Sequence, residues 1–162
     1  DLAGRGWDQV AANGGIAALA AAVHGLSGSP LAFGAAAGAI AAATADTWAT
    51  EAGRWSPIPP RLITTGAVVP HGRSGGVTPV GTLASAGGAL LIAGVAAALA
   101  GRPLLSPVLI AVLAGGFTGA LLDSVLGATI EGRLRWVDNS LINFLATAWG
   151  AGVVLAGAGW WR

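Results

Sequence analysis

The sequence predicts an all-α, polytopic integral membrane protein: a bundle of about five transmembrane helices forming one domain over residues 1–162. Two observations predict this fold class. Charged residues make up only 9% of the chain, whereas about a quarter of the residues are charged in an average soluble domain. The few charges also leave long uncharged runs, such as residues 74–101 and 103–122. A helix needs about 20 mostly apolar residues to cross the hydrocarbon core.

The uncharged runs place the spans at roughly 9–26, 30–53, 77–101, 103–124 and 139–161. Short turns join the first span to the second and the third to the fourth, whereas the segments 54–76 and 125–138 are long polar connections. Ala and Gly fill the spans, and small residues let membrane helices approach closely. Gly34 and Gly38, four residues apart, are therefore predicted to pack against another helix. Because the chain contains no Met, we expect it to start after processing or to be a piece of a longer protein.

The arginines predict the orientation in the membrane. With five spans, the N-terminus and both long connections share one side, which carries Arg5, Arg54, Arg61, Arg73, Arg133 and Arg135. The other side carries only Arg102 and Arg162. Because basic loops stay in the cytoplasm, we expect a multi-pass protein of the cell membrane whose long loops are cytoplasmic.

The acidic residues fall near the same face of the membrane, although no orientation rule requires it. They are Asp1, Asp8, Asp46, Glu51, Asp123, Glu131 and Asp138. Their gathering at the ends of several spans predicts one polar site at the cytoplasmic membrane surface.

Three of these carboxylates are the candidate catalytic residues. Asp46 and Glu51 lie near the cytoplasmic end of the second span, and Asp123 ends the fourth span, with Glu131 eight residues further on. Ionisable groups inside spans are expensive and usually functional. The alternative is that they reach water at the helix end or pair with Arg54. With no Cys and two His, the chain favours a hard cation, because Mg²⁺ is held by one or two carboxylates plus substrate phosphates. Asp46 and Asp123 are predicted to carry it, with Glu51 close by.

The stretch "RSGGVT", residues 73–78, lies where a long connection enters the third span. Consecutive small residues can direct several backbone N–H groups at an anion, and a helix N-terminus adds partial positive charge. Arg73 adds a guanidinium fork that suits phosphate. Arg73, Ser74, Gly75 and Gly76 are therefore candidate phosphate-binding residues, and a side chain at Gly76 is expected to crowd the anion. The alternative interpretation is a plain Gly-rich turn.

Three asparagines complete the candidate set. Asn139 and Asn143 share one face of the last span, and Asn13 lies at a comparable depth in the first. They are predicted either to orient a nucleotide or phosphate or to form hydrogen bonds between helices, as such side chains commonly do in membranes.

Six blocks of the sequence, in order, resemble those of a large integral-membrane family that includes transmembrane protein nineteen and the plant chloroplast phytyl-phosphate kinase. The blocks are "GRGWDQVAANGG", "ADTWATEAG", "PRLITTG", "GRSGGVTPVGTLAS", "LLDSVLGATIE" and "VDNSLINFLAT". The resemblance covers nearly the whole chain. It implies transfer of a phosphoryl group from a nucleoside triphosphate to a prenyl monophosphate, and it extends to the polar residues of these blocks: Asn13, Asp46, Glu51, Ser74, Gly75, Gly76, Asp123, Asn139 and Asn143.

Two other function classes stay open from the sequence. A lipid-phosphate nucleotidyltransferase would use the same metal and phosphate groups. A membrane transporter would need polar groups near the midplane or on both sides, and the outer half of this chain has almost none. We expect a nucleoside triphosphate, a prenyl phosphate lipid and the membrane as partners. The net charge of +1 gives no reason to expect nucleic acid, and a homo-oligomer is left open.

Overall fold

The structure is a computed structural model, which describes residues 6–103, 106–133 and 135–157. Within these residues the chain forms five helices: α1 (Trp7–Ser27), α2 (Pro30–Arg54), α3 (Pro79–Leu99), α4 (Pro107–Thr129) and α5 (Asn139–Ala156). Between α2 and α3, two short strands, β1 (Arg61–Leu62) and β2 (Gly76–Val77), pair in antiparallel fashion. By length and composition, α1, α3, α4 and α5 are able to cross a membrane. The predicted helical membrane bundle is confirmed.

Polar side chains at the N-caps define where four helices begin. In each case the side chain accepts a hydrogen bond from the backbone N–H three residues later, which satisfies one of the donors left free in the first turn. The capping residues are Ser29, Thr78, Ser106 and Asp138. In α2, α3 and α4 a proline follows the cap, where its missing N–H costs nothing.

The bounds of α4 correct the prediction for the fourth span. The helix begins at Pro107 rather than 103, because Ser106 caps it, and continues to Thr129 rather than 124. Asp123 therefore lies inside the helix and does not end it. The following connection is correspondingly shorter than the predicted segment 125–138. For the fifth span, the predicted end at 161 lies outside the described residues.

The central helix of the bundle is α2, which contacts each of the other four helices. Its buried residues are all Ala or Gly, so its neighbours approach almost to backbone contact. A Cβ at Gly38 would overlap with the carbonyl oxygen of Gly150 in α5, and Gly34 is buried beside it. A Cβ at Gly119 in α4 would lie 2.7 Å from the Cβ of Ala42. The predicted packing role of the small residues is confirmed at Gly38, where no side chain fits.

Hydrogen bonds between helices fix which ends lie together. The Ser140 hydroxyl at the start of α5 donates to Oδ2 of Asp8 at the start of α1, at 2.7 Å. About two turns further along α5, the Thr147 hydroxyl donates to the carbonyl oxygen of Ala12 at 3.2 Å. The start of α1 and the start of α5 therefore share one end of the bundle, which is also the end that holds the site described next.

Candidate functional site at one end of the bundle

A cavity of about 240 Å³ lies where the end of α2, the start of α3 and the end of α4 meet beneath the segment 71–78. It brings together residues that are far apart in the sequence. Of the candidate residues, those that line it are Asp46, Arg73, Ser74, Gly75, Gly76, Asp123 and Asn139. The predicted gathering of polar groups from several spans is thus realised in one cavity.

Carboxylates from two helices and the following turn face each other in this cavity. Asp46 on α2 and Glu131, just after α4, are close enough to Asp123 to act on its charge. Oδ2 of Asp123 is buried and has no hydrogen-bond partner in the described part of the chain. Burying a carboxylate oxygen without a partner is costly, and neighbouring negative charges add to that cost. A cation bound between these groups would relieve both.

The predicted trio of metal carriers does not assemble. Among residues 6–103, 106–133 and 135–157, no group of three or more Asp, Glu or His side chains is placed to hold a metal ion. Of the three predicted carboxylates, Asp46 and Asp123 line the cavity, whereas Glu51 does not. Two carboxylates are nevertheless compatible with Mg²⁺, since that ion usually takes its other ligands from water and substrate phosphates.

The segment 73–76 forms a tight turn that rests on the end of α4. The N–H of Gly76 donates to the carbonyl oxygen of Arg73 at 2.9 Å. Gly75 has a φ of +76°, and a Cβ there would overlap with Ala128. The neighbouring Gly127 is equally close, because a Cβ on it would lie 3.1 Å from the N atom of Gly75. The turn is therefore docked on α4 just above Asp123.

This geometry corrects the role expected for Gly76. Its N–H is used within the turn, and its φ is not positive. A Cβ at Gly76 would lie 2.9 Å from the carbonyl oxygen of Arg73 and 3.2 Å from Val69 Cγ2. A side chain there would therefore collide with the protein's own loop rather than with an incoming anion. Of the two glycines at positions 75 and 76, the one with a positive φ, which favours glycine, is Gly75.

Three candidate residues lie outside the cavity lining that the described residues form. Glu51 is exposed and makes an ion pair with Arg54, with 3.2 Å between Oε2 and Nη1. Five residues turn a helix by about 500°, so Glu51 faces away from Asp46. Asn13 donates from Nδ2 to the carbonyl oxygen of Gln9 at 3.0 Å within α1. Asn143 is buried in α5.

The cavity also contains polar residues that were not among the candidate catalytic, metal- or phosphate-binding residues: Thr50, Arg54, His71, Thr78, Thr82, Ser85, Ser124 and Glu131. Ser85 is the most informative of them. It is 3% exposed, and within the described residues its hydroxyl has no hydrogen-bond partner. A signal was present, since Thr82 and Ser85 are three residues apart in a stretch of Ala, Gly and Leu and thus share a helix face.

Comparison with known proteins identifies the family. Residues 2–151 match the family model described as integral membrane protein DUF92. The chain belongs to this family. The predicted family membership and the integral membrane location are thereby confirmed.

Three relatives of the DUF92 chain are more than 30% identical to it. An uncharacterised membrane protein of Methanocaldococcus jannaschii is 44% identical over 110 residues, which are 67% of this chain and 44% of that protein. Protein PGR of Arabidopsis thaliana is 41% identical over 103 residues, 58% of this chain and 36% of its own length. An uncharacterised membrane protein of Synechocystis is 35% identical over 112 residues, which are 68% of this chain and 42% of that protein.

The chain spans less than half the length of each of these relatives. No solved structure matches it significantly. The comparisons therefore give the family and the membrane location, and the activity has to be argued from the cavity.

Proposed function

We propose that this protein is a membrane-embedded lipid-phosphate kinase, which transfers the terminal phosphoryl group of a nucleoside triphosphate to a prenyl (phytyl-type) monophosphate at the cytoplasmic interface with Mg²⁺. One observation carries the proposal. A buried carboxylate oxygen of Asp123, for which the described residues provide no hydrogen-bond partner, lies beside Asp46 in a cavity that is capped by a turn bearing Arg73. Phosphoryl transfer requires groups that position the phosphates and neutralise their charge. The two carboxylates would bind a cation, and Arg73 would bind a phosphate.

The residues of the cavity fit Mg²⁺. Asp46 and Asp123 would hold it, since they come from two facing helices and Oδ2 of Asp123 has no hydrogen-bond partner in the part of the chain that the structure describes. When bound, the ion would neutralise charge on the phosphate oxygens during transfer. Glu131, which also lines the cavity, would be the third carboxylate close to the ion, the role that the sequence analysis gave to Glu51.

The reaction balances without a proton acceptor. An oxygen of the lipid monophosphate forms a bond to the γ-phosphorus, and the bond from that phosphorus to the β–γ bridging oxygen breaks. The nucleoside diphosphate leaves with the electron pair. Because a phosphate monoester loses its second proton with a pKa of about 6, the attacking oxygen is already ionised at neutral pH. Asp46 and Asp123 therefore need not act as general bases, and their proposed role is to bind the cation.

The other residues would position the substrates. Arg73 extends from an exposed turn at the mouth of the cavity, where its guanidinium can bind a nucleotide phosphate from the aqueous side. Asn139, at the first turn of α5, lines the same mouth. The lipid would approach from within the bilayer, so that both phosphates meet at the depth of the carboxylates.

A nucleotidyltransferase acting on lipid phosphates is the second candidate, because it would use the same groups. It differs in the bond that is broken: attack at the α-phosphorus releases pyrophosphate and leaves the nucleotide on the lipid. A transporter is less well supported, since the polar cavity lies at one end of the bundle and not at its middle.

A labelling experiment separates these functions. The purified protein in lipid nanodiscs is incubated with Mg²⁺, a prenyl monophosphate and either γ- or α-labelled nucleoside triphosphates, and the lipids are separated by thin-layer chromatography. Label from the γ-position alone, in a prenyl diphosphate, supports the kinase. Label from the α-position on the lipid would show nucleotidyl transfer, and no label from any of the common triphosphates would refute both.

The site is tested in the same assay by Arg73→Ala. Loss of a charge-assisted hydrogen bond costs about 1.5–3 kcal/mol, so binding of one phosphate substrate should weaken roughly ten- to a hundredfold. Arg61→Ala is the matched control, because Arg61 donates to the carbonyl oxygen of Gly66 outside the cavity. If Arg73→Ala leaves both kcat and KM within about twofold, as ordinary surface substitutions do, the turn is not part of the site.

A further inference from the structure

The deepest polar group on the α3 side of the cavity is the hydroxyl of Ser85. Its side chain is 3% exposed, it lines the cavity, and its oxygen has no hydrogen-bond partner within the described residues. Oδ2 of Asp123, which lines the cavity from α4, is likewise buried without a hydrogen-bond partner within the described residues. Buried polar atoms are nearly always satisfied. The described residues leave both atoms without partners in one cavity, so a ligand bound in that cavity would complete their hydrogen bonds.

Ser85 and the carboxylates lie at a common depth. At 1.5 Å per residue, Ser85 is about 9 Å from the start of α3, Asp123 about 9 Å from the end of α4 and Asp46 about 12 Å from the end of α2. These helix termini meet at the same end of the bundle. The three side chains thus form a polar layer beneath the Arg73 turn.

Below this layer the lining becomes apolar. It consists there of Phe117, Ala120 and Leu121 on α4, and Phe117 lies about 18 Å from the end of that helix. Above the layer, the lining is polar and open to water at His71 and Arg73. A ligand that spans the layer from below must therefore be amphiphilic, with its charged group at the level of Ser85.

We propose that the Ser85 hydroxyl donates a hydrogen bond to the phosphate of the lipid acceptor and selects it over the nucleotide; this rests on the proposed kinase function. The phosphate binds at the level of Ser85, where Asp46 and Asp123 would hold the cation, and the hydrocarbon chain extends toward Phe117 and Leu121. The nucleotide, which has no apolar chain, occupies the aqueous side under Arg73. Ser85 is therefore a specificity-determining residue for the lipid substrate.

A structural serine and a binding serine respond oppositely to Ser85→Ala. If the hydroxyl supported the fold, its loss would destabilise the protein. A buried hydroxyl that has no partner in the ligand-free protein costs free energy there. Its removal should leave the unfolding midpoint of the ligand-free protein unchanged or raised, while the lipid phosphate loses a donor.

The experiment compares Ser85→Ala with the wild type and with Ser27→Ala, whose exposed hydroxyl donates within α1. Thermal unfolding in detergent is measured alone, with geranylgeranyl monophosphate and with geranylgeraniol, which has the same chain without phosphate. Transfer kinetics are measured for both substrates. Loss of a hydrogen bond to a charged group should raise KM for the lipid roughly ten- to a hundredfold, leave KM for the nucleotide within about twofold and abolish the extra stabilisation given by the phosphate.

Three outcomes overturn the proposal: a lower unfolding midpoint for ligand-free Ser85→Ala, a rise in KM for the nucleotide instead of the lipid, or full stabilisation of the variant by the monophosphate. They are distinguishable from failure of the kinase function. If the wild type transfers no phosphoryl group, the binding measurement still decides whether Ser85 recognises the lipid phosphate. If the monophosphate stabilises the wild type no more than the alcohol does, Ser85 has no such role.

Discussion

Substituting Gly75 should undock the turn at residues 73–76 from α4. Gly75→Ala places a Cβ at a φ of +76°, and the left-handed conformation costs a residue with a side chain about 1–2 kcal/mol. The same Cβ would lie 2.6 Å from both the N and Cα atoms of Ala128. Overpacking of this kind typically costs a further 1–3 kcal/mol or so. We therefore expect a total loss of about 2–5 kcal/mol in unfolding free energy, from the two terms together.

Gly66→Ala is the matched control for this prediction. Gly66 has a φ of +71°, but a Cβ there would meet no atom within 4 Å, and Gly66 does not line the cavity. It should therefore show the conformational cost alone. Unfolding free energies are measured by denaturant titration in mixed micelles, and transfer rates in nanodiscs. The Gly75 variant should be less stable than the Gly66 variant by about 1–3 kcal/mol and should also lose transfer, because the turn no longer lies above Asp123. Equal stability and equal rates for the two variants would refute the docking of this turn on Ala128.

Asp46→Asn and Asp123→Asn should each abolish transfer while the bundle remains folded by circular dichroism, because each removes a negative charge on which the proposed cation depends; near-normal rates at ordinary Mg²⁺ would contradict the metal assignment. Glu51→Gln should change the rate by no more than about twofold, the range of ordinary surface substitutions; a large loss would return Glu51 to the site. For the orientation, a single cysteine at Ser27 should be labelled from outside and one at the half-exposed Ile58 from the cytoplasm, and the reverse pattern would overturn the positive-inside prediction.

The spans could be predicted because uncharged runs of this length are rare outside membrane helices, and the caps at Ser29 and Thr78 agree with the predicted starts to within two residues. The extent of α4 was harder to predict. Nothing in "LLDSVLGATIEG" stops a helix before its final glycine, so the position of Asp123 within the helix depended on where the chain turns. The end of α4 packs against Gly75, some fifty positions earlier in the sequence, and a local pattern does not reveal such a contact.

The candidate site was predictable at Asp46, Asp123 and the Arg73 turn, because charge inside a span and a basic Gly-rich loop are unusual on their own. Glu51 was a weaker prediction, since its angle from Asp46 already placed it on another helix face. Ser85 shows the opposite difficulty. A serine in an Ala- and Gly-rich helix is ordinary in sequence, and only its burial without a partner reveals its importance.

The contact between Gly119 and Ala42 lies one helical turn below Asp123 and Asp46, respectively, on the same two helices. With no side chain on one partner and a single methyl group on the other, α2 and α4 are held at nearly their minimum separation at this point. The distance between the two carboxylates therefore depends on the separation of α2 and α4 at this contact rather than on the loops above it. One added methyl group at Gly119 would push the two helices apart and increase the distance between Asp46 and Asp123. If the two carboxylates hold a cation, such a variant would favour a larger ion, with longer bonds to oxygen, over Mg²⁺. Ion preference in this bundle would then be set by residues that never touch the ion.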